Sequence, residues 1–162
     1  MAALSFTATI NNNRLATVSN EVVGSIQLAH SEAVKRRETV TICGSSNTTS
    51  CNTSNWESGW LVFLDVDKDG VVDVGDTIVH VNDGVNVSSM RSSAFSNSGY
   101  IQYNLTGSVD SAGTFTVCDS RGVTSARAIN INATERPRMA TDGGDSGAVV
   151  ENISGNNVTC GS

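Results

Sequence analysis

The sequence predicts an α+β fold: an N-terminal amphipathic helix packed on antiparallel β-sheet, all within one head domain spanning residues 1–162. Three observations carry this. Residues 14–37 are the only long stretch with apolar side chains at helical spacing. There Leu15, Val18, Val22, Ile26, Ala29 and Ala33 step by three or four and share one stripe. The rest of the chain reads as short β runs parted by Gly, Asn, Ser and Asp. Finally, 162 residues suffice for one core and are too few for two comfortable ones. A helix with one apolar stripe and strands with one apolar face bury them against each other.

Taken in order, the first element is a helix over about residues 4–38. Asn11 to Asn13 are cap candidates if its beginning is irregular. Lys35, Arg36 and Arg37 stand in the last turn, where the free carbonyls favour positive charge. Strands are expected at Thr39 to Cys43, Trp60 to Asp65, Thr77 to Val81, Tyr100 to Tyr103, Thr114 to Asp119 and Ala126 to Asn132. The first and fifth alternate polar and apolar residues, as half-buried strands do. The Ser/Asn/Thr-rich stretch between Cys43 and Trp56 reads as an exposed loop, and residues 141–147 as a flexible connection to the tail.

Composition narrows the class. The chain has one Pro, 16% charged residues and four cysteines, which suits a β-rich protein of an oxidising, extracytoplasmic compartment. A formal net charge of -6 argues against wholesale electrostatic binding of nucleic acid and leaves room only for a local basic patch. Three pairings of Cys43, Cys51, Cys118 and Cys160 are conceivable. A Cys43–Cys51 bridge would close a polar loop that has no apolar anchor of its own. Cys118–Cys160 would then tie the CDSRG segment to the tail. Zinc binding would call for close C-x-x-C pairs, which are absent.

The sharpest local pattern runs from Asp65 to Asp76. Asp65, Asp67, Asp69, Asp73 and Asp76 fall at positions 1, 3, 5, 9 and 12 of a calcium loop, with Gly70 sixth and the Val71 carbonyl seventh. Its flanks, WLVFL and TIVHV, are strand-like rather than helical, and Asp76 is shorter than the usual Glu. The expected cofactor, if the loop is more than an acidic hairpin tip, is one weakly held Ca²⁺. A second string, Gly144-Asp145-Ser146-Gly147, matches the surroundings of a serine nucleophile. His30 in a periodic helix and His80 in a strand are poor partners for it, however, and no enzyme activity is expected.

The run NRLATVSNEVVGSIQLAHSEAVKRRETVTIC, then Cys51, WESGWLVFLD and GTFTVCDSRGVTSARAININ, resembles the FimT/FimU group of type IV minor pilins and the related GspH pseudopilins. The likeness covers about residues 12–138, with His30 standing where the family usually has Arg. It implies a pilin-like head and a structural role: a minor pilin at or near the tip of a type IV pilus, priming assembly. Implied partners are other minor and major pilins, through the helix, and the inner membrane, through a leader and apolar helix ahead of these residues. Inner membrane and periplasm before assembly, and an extracellular fibre after it, are the implied locations. Two alternatives come with the resemblance. One is a GspH-type pseudopilin of type II secretion. The other is a DNA-binding minor pilin for DNA uptake in natural transformation. For that role Arg136-Pro137-Arg138 matches the position of a late G-R-x-R-type motif, with Glu135 in place of the Gly, and Arg121 and Arg127 lie nearby.

Overall fold

The computed structural model describes residues 2–97, 99–133, 136–140 and 150–161, with the backbone alone for residues 2–5. Helix α1 runs unbroken from Ala2 to Arg36. No proline interrupts it, and Gly24, on the exposed side, has open space where a Cβ would stand. Asn11 to Asn13 are therefore interior helix residues and cap nothing. The helix stops two residues short of the expected end because Arg37 adopts a left-handed φ of 57°. Arg36 pairs with Glu32 one turn back.

All six stripe residues are buried, none more than 4% exposed. They face two four-stranded antiparallel sheets. The first has the order β3-β2-β1-β5, with β1 Val40–Gly44, β2 Trp60–Leu64, β3 Thr77–Asn82 and β5 Tyr100–Tyr103. The second has the order β4-β6-β7-β8, with β4 Ser89–Ser93, β6 Gly113–Cys118, β7 Arg127–Ile131 and β8 Arg138–Met139. Five residues are buried consecutively in β2 because both its faces are covered. Trp60, Val62 and Leu64 join the helix stripe in the main core, while Leu61 and Phe63 pack outward with Cys43, Cys51, Val72 and Tyr100.

The second sheet repeats the arrangement. Phe115, Val117, Ile129 and Ile131 face the helix. Cys118, Ala126 and Ala128 face outward under Val150, Val158 and Cys160. Each outer cover is held by a disulfide, Cys43–Cys51 on the first sheet and Cys118–Cys160 on the second, so both expected pairings are present. Trp56 joins the two halves, its ring meeting Phe115 edge-on at 4.8 Å between centroids.

Candidate functional site

Three features could carry function: the first part of the helix, the acidic turn and the arginines. The helix changes character at Leu15. From Leu15 to Ala33 its stripe is packed, and Trp60 adds a hydrogen bond across the seam, its Nε1–H donating to Ser25 Oγ at 2.8 Å. Before Leu15 the side chains from Phe6 to Arg14 are exposed or partly so, Phe6 at 70% and Ile10 at 55%. A hydrogen bond from Arg121 Nη1 to Asn12 Oδ1, 2.9 Å, joins this portion to the head. Among the described residues no helix is long and apolar enough to cross a membrane.

The acidic turn joins β2 to β3, and β2 delivers Asp65 to its first position. Asp65 is 1% exposed, and three donors converge on its Oδ2: Thr41 Oγ1 from β1 at 2.6 Å, Gln102 Nε2 from β5 at 2.9 Å and the Gly70 N–H at 3.0 Å. Its Oδ1 is buried with no hydrogen-bond partner. Gly70 is required on two counts: its φ is 76°, and the Tyr100 ring lies 2.6 Å from where a Cβ would sit. Farther along, Asp76 accepts the Val66 N–H at 2.9 Å and the Asp73 N–H at 3.1 Å, and Asp69 accepts the Val71 N–H at 2.8 Å.

The five aspartates thus form two overlapping groups. One oxygen each from Asp65, Asp67 and Asp76 lie within 4.8 Å of one another, as do one each from Asp67, Asp69 and Asp73. Asp67 belongs to both. The carboxyl of Asp73 is pushed above its usual value, first by desolvation and then by the charges of Asp67, Asp76, Asp69 and Asp65. The apolar eighth residue, Val72, is partly buried against the outer cluster of the first sheet, which fixes the turn to the head.

The four arginines do not form one patch. Arg121 is committed to Asp119, with Nη2 donating to Oδ2 at 2.6 Å and Nε to both carboxylate oxygens. These bonds hold the Asp119 carboxyl below its ordinary value. Arg127 shares a shallow hollow with Arg121, Asn12 and Met139. Arg136 lies in another, with Gln27, His30 and Tyr103, where His30 meets the Tyr103 ring edge-on. Arg138 stands opposite Asn130 in β8, and because Asn130 is three residues from Arg127, the two arginines project from opposite faces. His80 lies on β3, beside Glu21 and Asn82, away from the hollow that holds His30. Glu135 and the Asp145-Ser146 string lie outside the described residues.

Sequence reasoning named the aspartates but missed Thr41 and Gln102, which hold Asp65, and Ser25 and Asn12, which tie the helix to the head. Thr41 and Gln102 become neighbours only through the β1–β5 register, which pairs them directly.

Comparison with known proteins places this architecture. The family model described as type II transport protein GspH matches residues 18–135. Among solved structures, the type IV minor pilin FimU of Pseudomonas aeruginosa is similar, with a TM-score of 0.63 at 20% identity over 80% of this chain and 90% of that one. A second crystal form of FimU gives 0.61 at 18% identity over 76% and 90%. The minor pseudopilin EpsH of the Vibrio cholerae type 2 secretion system gives 0.54 at 8% identity over 80% and 98%. No curated protein matches in sequence.

Proposed function

The chain belongs to the GspH family, and from that premise we propose that it is a structural minor pilin of a type IV pilus, incorporated at or near the tip and priming assembly. The observation that carries this reading is the two-part helix. A subunit that joins a helical fibre needs a rigid head and a helix whose forward part is left for its neighbours. Here the stripe from Leu15 to Ala33 is used up by the sheets, while Phe6 and Ile10 offer apolar surface ahead of them. The partners are other pilins, and the location is the periplasm and then the fibre. The role is one of assembly, not catalysis.

Two further observations favour the pilus over the alternatives. The fold is nearer to FimU than to EpsH, by 0.63 to 0.54 in TM-score, which supports a pilus over a type II secretion pseudopilus. Against a DNA receptor for uptake, Arg121 is neutralised by Asp119, and Arg127 and Arg138 lie on opposite faces of their sheet. The remaining contacts would give weak, salt-sensitive binding. Cross-linking in the source bacterium tests the reading. Ile10→Cys in the full-length protein should capture pilins in sheared fibres. Capture of secretion pseudopilins instead, with fibres free of the protein, would assign it to secretion.

A further inference from the structure

We propose that the turn from Asp65 to Asp76 binds one Ca²⁺, anchored on the buried Oδ1 of Asp65 and closed by Asp67 and Asp76. This stands apart from the pilin reading and holds whether or not the head is assembled into a fibre. The acidic cluster alone would not carry it, since exposed carboxylates are commonly balanced by solvent and salt. The decisive feature is the asymmetry of Asp65. All three of its donors bind Oδ2, and Oδ1 is left buried and unpartnered. A buried anionic oxygen without a donor is strongly unfavourable. The carboxylates that gather with Asp65 in this cluster, those of Asp67 and Asp76, are themselves acceptors and cannot satisfy it. A cation satisfies all three at once.

The donor set selects the ion. Every candidate ligand is a hard oxygen, with no His or Cys in the cluster, which suits Ca²⁺ or Mg²⁺ rather than zinc or copper. Ca²⁺ accepts six to eight oxygens in loose geometry, whereas Mg²⁺ demands a tight octahedron and keeps its waters. The second group, Asp67, Asp69 and Asp73, lies exposed beside the first, and the Val71 carbonyl lies between them in sequence. The exposed carboxylates of this second group are available to add oxygens on the solvent side. The Gly70 N–H bond to Asp65 Oδ2 holds the first carboxylate so that its other oxygen is free for the ion. Both oxygens of Asp76 already accept backbone N–H groups, and the outer ligands are exposed, so the affinity belongs at the weak, extracellular end of the calcium-loop range, about 10⁻⁴ to 10⁻³ M.

The test is calorimetric titration of the chelator-treated chain, with a thermal melt alongside. One Ca²⁺ should bind in that range, and millimolar Ca²⁺ should raise the melting temperature. Mg²⁺ should do so less, and NaCl at equal ionic strength should not reproduce the shift. Asp67→Asn, an exposed substitution in the residue common to both groups, should weaken binding at least tenfold. Asp83→Asn, an exposed carboxylate outside the turn, should leave it unchanged. An absence of heat and shift at millimolar Ca²⁺, a shift matched by NaCl, or full binding by Asp67→Asn would each overturn the site.

Discussion

The two portions of helix α1 share one backbone and differ in almost everything else. From Leu15 onward, a residue every three or four meets a sheet and is buried. Ahead of Leu15 the same helical geometry presents Phe6 and Ile10 to solvent. Isolated helices are marginal, and tertiary packing supplies most of their stability. The forward portion is thus helical because the packed portion has already nucleated it. The contrast separates two kinds of residue in one element: those that make the head fold and those left over for something outside it.

The largest effect should come from placing a charge in the packed portion. Ile26→Asp should unfold the head, costing several kcal/mol through an unpaired buried carboxylate. Gln27→Asp, exposed and adjacent, should melt like the wild type, as should Ile10→Asp in the forward portion, within about 0.5 kcal/mol. Equal melting temperatures for Ile26→Asp and Ile10→Asp would abolish the distinction.

Next come the disulfides, which carry the comparison to the two outer covers. The separation is 42 residues for Cys118–Cys160 and 8 for Cys43–Cys51. Loop-closure entropy then predicts losses of about 4 and about 2.5 kcal/mol for the paired Cys→Ser variants. A chemical denaturation series measures both, and the reverse order would show that the tail covers the second sheet without help from its bridge.

Smaller effects are expected at the ties between helix and head. Ser25→Ala removes the acceptor for the buried Trp60 N–H and should cost about 1–3 kcal/mol. At the boundary itself, Arg121→Ala frees Asn12 and takes the guanidinium from Asp119, which keeps only the backbone N–H of residue 121. An ion pair of this partial exposure is worth no more than about 1 kcal/mol. Its pH dependence has a definite sign. The Asp119 pKa is lowered from 3.8 by Arg121, so its contribution is fully present above that value and fades as the pH falls through the folded-state pKa. Wild type and Arg121→Ala should therefore converge in stability under strong acid and differ at neutral pH, as acid melts would show.

Much of this was legible in the chain. The six stripe residues are the buried ones, the six expected strands lie within a residue or so of their predicted bounds, and both disulfides pair as the polar loop and the tail suggested. The two strands whose alternation implied a half-buried position, β1 and β6, are instead buried along their whole length, because the outer covers shield their second faces. Strand β4, Ser89–Ser93, escaped notice because Met90 is its only large apolar residue, and β8 is two residues long. The division of the strands into two sheets was not visible either, since strand partners are set by contacts between segments distant in the chain and not by the local pattern. In the acidic turn the spacing identified the aspartates but not their inequality, with one buried and bonded on a single oxygen and the others mostly exposed.

What the sequence determined by itself is therefore what depends on neighbours along the chain. Helical and strand periods, the glycine at the sixth position of the turn and the loop spanned by each cysteine pair are properties of short separations, set by backbone geometry. Tertiary structure alone decided that Thr41 and Gln102 crowd one oxygen of Asp65 and leave the other bare, that Arg127 and Arg138 part to opposite faces, and that the helix runs out of sheet at Leu15. These outcomes depend on register between strands tens of residues apart. A shift of one residue would send each side chain to the other face, and local pattern cannot choose between such registers; packing of the whole head does.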